Sequence, residues 1–248
     1  MPETPYGIEA SFGGSLESTL SAVGRAKRYH RWLAETLADH VVGRAVEIGA
    51  GYGTLSEALV PFLGSVMVTE PHPMLEASLR QAASGMDGLV PAPPIALPLT
   101  AEPSWPEHPH TAIMSNVLEH IEDDIAALAS IRRYVQSVHR LILVVPAHMW
   151  AYSKVDEALG HHRRYTTQSL RQVLRESGWQ PTLVRYFNPV GAIAWASGRW
   201  LGRREISARQ TRMVEAVVPL LKSTDKLACG RGLGQSVIAV ADAGKIHS

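Results

Sequence analysis

The chain of 248 residues has almost no cysteine. Cys229 stands alone, so no internal disulfide and no cysteine-rich metal site can form. It also has almost no net charge. Its 24 Lys and Arg against 23 Asp and Glu leave +1, which gives no broad electrostatic footprint for nucleic acid or an anionic membrane. Long apolar runs are missing. The longest, over residues 190–200, is interrupted by Gly191, Gly198 and Arg199, and falls short of the ~20 residues that span a bilayer. Residues 1–14 lack the basic start and apolar core of a signal peptide, so a cytoplasmic protein is the expectation. What remains, 46% hydrophobic residues without an internal repeat, suffices for one sizeable core and one domain over residues 1–248.

The chain is organised around Val46-Glu47-Ile48-Gly49-Ala50-Gly51-Tyr52-Gly53-Thr54-Leu55. Residues 44–48 read as a buried strand, the glycines as a tight turn, and residues 54–63 as a helix with apolar positions at helical spacing. Glycines here serve two ends: positive φ or close packing in the turn, and a backbone cleared for a ligand. A dinucleotide fingerprint needs Gly or Ala at position 54, where Thr54 stands, and Walker A spacing is absent. Residues 65–70 form a second strand ending in Glu70, 19 residues after Gly51. An acid at that strand tip is where the two hydroxyls of a ribose would arrive, and one carboxylate can accept from both. Pro71 stops the strand, and Met74 is placed to pack on an adenine. With Glu47 two residues before the first glycine, the stretch resembles the cofactor turn of class I S-adenosylmethionine (SAM) dependent methyltransferases.

Later segments extend the resemblance over residues 25–243. Asn116-Val117-Leu118-Glu119-His120-Ile121, at the end of a strand over residues 111–116, is similar to the family's fourth motif. The run from Tyr152 to Thr166 matches the Y-S-x-x-D-x-x-x-G-H-x-R-R-Y-T signature of a methyltransferase type 11/12-like bacterial subgroup. Upstream, Arg28-Tyr29-His30-Arg31-Trp32 resembles a segment of the same subgroup whose aromatic lies near the cofactor; plain packing of Tyr29 on the sheet is the other reading. One departure stands out. The family often has an aspartate before Leu97-Pro98-Leu99 to accept from the adenine amino group, and here Ile95 and Ala96 precede the triplet.

The resemblance implies an α/β, Rossmann-like, seven-stranded sheet with helices on both faces and the last strand antiparallel. It implies SAM as cofactor, S-adenosylhomocysteine as product, and transfer of the methyl group to a small-molecule acceptor. The cofactor residues it implies are Tyr29, Glu47, Gly49, Ala50, Gly51, Gly53, Thr54, Glu70, Pro71, Met74, Asn116, Val117 and Leu118. His120, His161 and Tyr165 are the candidate acceptor wall and catalytic groups, one histidine serving as base. Plainer roles stand beside these: His120 bonding a loop, and Asp156 pairing with Arg163 or Arg164 to hold one. No metal is expected. Residues 1–40 are read as an arm and helix, and residues 188–228 as a helical insertion before the last strand that serves as acceptor cap or dimer surface. The rival reading is a SAM-binding regulatory or assembly protein without turnover. A nucleic-acid acceptor lacks its N/D-P-P-Y/F motif.

Overall fold

The computed structural model describes residues 26–189 and 232–244, with Ala216, Val218 and Lys222 between them. The expected arm, the start of the first helix and most of the insertion lie outside the described residues.

Seven strands form one sheet in the order β3-β2-β1-β4-β5-β7-β6. They are β1 (Ala45–Ile48), β2 (Val66–Thr69), β3 (Leu89–Pro91), β4 (Thr111–Ser115), β5 (Arg140–Pro146), β6 (Trp179–Phe187) and β7 (Ser236–Ala243). β1 to β5 are parallel, and β7 runs antiparallel between β5 and β6. Parallel strands are covered on both faces and need apolar residues at every position. Thus β1 and β2 are buried throughout and β5 from Leu141 onward. Because β1 pairs with β2 on one side and β4 on the other, the strand order reverses there, and the crevice outside their carboxyl ends is the place for a ligand.

The helices are α1 (Lys27–Ala38), α2 (Thr54–Leu63), α3 (Pro73–Ser84), α4 (Asp124–Tyr134), the short α5 (Lys154–Ala158) and α6 (Thr167–Glu176). α1 turns Trp32, Leu33 and Leu37 inward and packs on α2. Thr166 caps α6 through a reciprocal capping box with Ser169. α4 stops at Tyr134. Val135 and Val138 reach the core from a turn, closed by the Val138 N–H on the Val135 carbonyl at 3.0 Å. β6 starts at Trp179, two residues before Pro181. Proline is tolerated on this edge strand, and a register shift between Pro181 and Leu183 accommodates it.

Of the insertion, Val218 is buried in the cluster that contains Trp32, Leu33 and Leu37, and Lys222 Nζ lies 2.5 Å from Glu35 Oε2. At these two points the insertion folds back on α1 of its own chain.

Candidate functional site

The glycine turn leaves β1 with positive φ at Gly49 and Gly51, +74° and +56°. A Cβ on Gly49 would stand 2.6 Å from Val117 Cγ2, so that glycine lets the turn after β4 close on the turn after β1. A Cβ on Gly51 would meet nothing within 4 Å: its bare backbone faces open space. Glu70, buried at the tip of β2, holds this loop. Its Oε2 accepts from the Gly51 N–H at 2.8 Å and its Oε1 from the His72 N–H at 2.9 Å. Each oxygen keeps a further lone pair, enough for two hydroxyls. Burial raises the Glu70 pKa, and the two backbone bonds oppose that shift. Glu47 is buried at the end of β1 and accepts from the Ser56 hydroxyl on α2; burial pushes its carboxyl up to about 7.

Around this centre, Ala50 is buried, and its N–H and that of Gly49 both bond the Thr69 carbonyl. Gly53 caps α2, and Thr54 opens it. Pro71 is half-buried, and Met74 is exposed on the first turn of α3. Asn116 has φ +53° at the end of β4 and an exposed side chain, whereas Leu118 is fully buried. Tyr29 is half-buried, edge-on to Trp32 and 6.2 Å from the ring of Phe187. Phe187 pairs with Ser236, which pairs with Pro146, so Tyr29 flanks the carboxyl edge of the sheet. Ile95, Leu97 and Leu99 pack into the core, and no acidic side chain stands in for the adenine aspartate at Ile95 or Ala96.

The segment after β5 is built differently. The Tyr165 N–H bonds the Pro146 carbonyl, and the His148 N–H bonds the Tyr165 carbonyl, both at 2.8 Å; the chain thus returns alongside the strand tip. Fully buried Asp156 is its hub. Its carboxylate accepts from Ser153, from Arg164 Nε and Nη2 at 2.8 and 3.0 Å, and from His161 Nδ1 at 2.8 Å. Burial alone would raise its pKa; the bonds from His161 and Arg164 outweigh that and lower it to about 2. Of the two arginine partners open from sequence, Arg164 takes Asp156, while Arg163 pairs with Asp124 at 2.9 Å.

Two expectations for the acceptor wall change accordingly. Tyr165 is a core residue, 2% exposed, whose hydroxyl donates to Asp124 at 2.8 Å. Burial and that neighbouring carboxylate raise its pKa far above the ordinary phenol value, so it is unsuited to proton transfer near neutrality. His120 packs edge-on against His161 with centroids 4.6 Å apart, and burial with the nearby His161 and His162 lowers its pKa to about 3. His161 has a side chain only 9% exposed, with Nδ1 on Asp156 and Nε2 directed toward Glu119.

Two further side chains stand here that spacing along the chain does not single out. Glu119 is a fully buried acid beside His120, and its place between Leu118 and Ile121 is the signal the sequence offers. His148, at φ +64°, stacks on Tyr186 at 4.7 Å and on half-exposed Trp150 at 5.2 Å. The aromatic density of residues 148–152 hinted at this, but the Tyr186 partner comes from β6.

Residues 23–184 match the family described as methyltransferase domain. The chain belongs to that family. This methyltransferase has no match among curated protein sequences. Solved structures share its fold. The chain solved in complex with the methyltransferase activator of Haloferax volcanii gives a TM-score of 0.58 at 13% identity, over 93% of this chain and 98% of that one. A SAM-dependent methyltransferase from Thermotoga maritima gives 0.55 at 18%, over 96% and 99%. A geranyl diphosphate methyltransferase in complex with SAM gives 0.58 at 15%, over 95% and 93%. The sheet order, the antiparallel β7 and the glycine turn are those of a Rossmann-like, SAM-dependent methyltransferase.

The residues present suit that cofactor. Open space at Gly51 and a buried carboxylate with lone pairs to spare are what a nucleoside laid along the strand ends requires. No helix among the described residues is long and apolar enough to cross a membrane.

Proposed function

We propose that this methyltransferase acts on a small acceptor with a flat apolar part, which rests against the stack of Tyr186, His148 and Trp150. One observation carries this reading. The stack lies at the carboxyl edge of the sheet, and Trp150 and Met149 remain 50% and 53% exposed there. Exposed Met149 and Trp150 beside the crevice offer apolar surface that a bound acceptor would cover. The geranyl diphosphate methyltransferase that shares the fold is named for a small molecule of this general kind. Nucleic acid does not fit a chain of net charge +1.

In this reading Glu70 takes the ribose hydroxyls, Gly51 and Ala50 supply the cleared backbone, and Met74 covers the adenine. Asn116, Val117 and Leu118 form the opposite lip, with Tyr29 at the flank. The insertion, tied to α1 through Val218 and Lys222, serves as a cap over the acceptor rather than as a dimer surface. SAM supplies an activated methyl group, so the chain's main task is to align a nucleophile with it. His120 and Tyr165 take no part as bases.

The test is a turnover screen with SAM against phenols, aromatic amines, prenyl-type alcohols and sugar-like acceptors. Flat or apolar acceptors should be methylated. For the best of them, Trp150→Ala should raise KM about tenfold, the order expected for losing one aromatic contact, with SAM affinity unchanged. Turnover of sugar-like acceptors alone, or a KM unmoved by Trp150→Ala, contradicts the reading.

A further inference from the structure

His120 and His161 share a cluster with Glu119. Glu119 is fully buried, and neither carboxylate oxygen has a hydrogen-bond partner on another residue. His120 Nδ1 is likewise buried without one. His161 Nε2 stands 4.0 Å from Glu119 Oε1, and one ligand atom from each of the three residues lies within 4.8 Å of the other two. An unpaired carboxylate in such a place costs several kcal/mol, so a buried acid left bare points to something held in common. The surroundings specify what. A carboxylate can only accept, so the contact between Asp156 and His161 puts the proton on Nδ1 and leaves the Nε2 lone pair toward Glu119. A histidine whose other nitrogen donates to a fixed carboxylate is the usual support for a metal ligand. Here that carboxylate is itself clamped by two bonds from Arg164.

We propose that Glu119, His120 and His161 bind one divalent cation of the zinc type. Two imidazoles and one carboxylate are the donor set such ions favour. Donors on a tetrahedral zinc stand roughly 3.3 Å apart, so the three side chains need to close by about 1 Å. The ion joins the turn after β4 to the segment after β5, since the ligands come from both. Three protein ligands leave a fourth position for an oxygen ligand. The inference is independent of the acceptor assigned above.

The test uses the full chain stripped by a chelator. Calorimetric titration with Zn2+ should show one saturable site per chain and a rise in melting temperature. Glu119→Gln and His161→Ala should each weaken that site at least a hundredfold, by loss of a direct ligand. His139→Ala, a histidine outside the cluster, should leave it within twofold. Co2+ added to the unaltered chain should give the d–d absorption of a four-coordinate nitrogen and oxygen site, removed by Zn2+; this readout needs no variant to fold. No saturable binding, or binding indifferent to Glu119→Gln and His161→Ala, overturns the proposal and leaves a proton shared by Glu119 and His161. SAM titration of the same stripped chain reads the cofactor site separately.

Discussion

The turn after β1 and the segment after β5 both stand at the carboxyl edge of the sheet, and both carry the residue types that sequence reading associates with function. Their hydrogen bonds divide them. At the glycine turn, Glu70 uses one lone pair on each oxygen to hold the loop and keeps the rest, and Gly51 faces open space. In the segment after β5, Asp156 is surrounded by Ser153, His161 and Arg164, and Tyr165 is paired with Asp124. The first region keeps acceptor capacity and cleared backbone unspent. The second is folded around itself, apart from the stack at His148 and the bare Glu119. Density of polar residues in a loop therefore does not separate a site from a brace; unspent bonding capacity does.

Substitutions should expose that division. Asp156→Ala deprives the buried Arg164 guanidinium of its carboxylate and should lower stability by about 3–5 kcal/mol in urea titrations. SAM affinity per folded molecule should stay within threefold; a collapse of SAM binding would make the brace part of the cofactor site. Gly51→Leu is the opposite case. It should weaken SAM at least a hundredfold, about 2.7 kcal/mol, by placing a side chain in the open space, while the positive φ costs only about 1–2 kcal/mol of stability. Normal SAM affinity in a folded Gly51→Leu would show that the ligand lies elsewhere.

The same brace has a pH signature. The Asp156 pKa is about 2 in the fold against an ordinary 3.8, so the unfolded chain binds more protons in that window. The contribution, on the order of 2 kcal/mol, is present above the ordinary value and lost as pH falls through about 2. Acid unfolding curves of Asp156→Asn should lack this portion of the slope; an unchanged slope would refute the pairing. The smallest effect is that of Tyr165→Phe. It removes one buried bond, worth about 1–1.5 kcal/mol of stability, and should leave turnover within a few-fold once an acceptor is known. A hundredfold loss of turnover would return Tyr165 to the catalytic groups.

The glycine turn was legible because its chemistry is local. Helix α2 follows the glycines with the anticipated bounds, and the strands followed apolar runs that parallel sheets require. Glu70 was legible too, since a strand tip fixes where its side chain stands. The segment after β5 was not. The partner of Tyr165 is 41 residues earlier at Asp124, the stacking partner of His148 comes from β6, and Glu119 meets His161 only through the fold. Spacing along the chain shows that His, Arg and Tyr are near one another; it does not show which of their donors and acceptors are already taken.

Glu70 has acceptor capacity to spare and Asp156 has its partners in place, and titration calorimetry of SAM into Glu70→Gln and Asp156→Asn tests both at once. Glutamine is the milder probe at position 70, because its single amide oxygen can still accept from one of the Gly51 and His72 N–H groups, whereas alanine releases both. Glu70→Gln should bind SAM about 1.5–3 kcal/mol more weakly, some ten- to a hundredfold, and an analogue without ribose hydroxyls nearly as well as the unaltered chain does. Folded Asp156→Asn should bind SAM within threefold. Equal losses in both variants, or no SAM binding by the unaltered chain, would contradict the account.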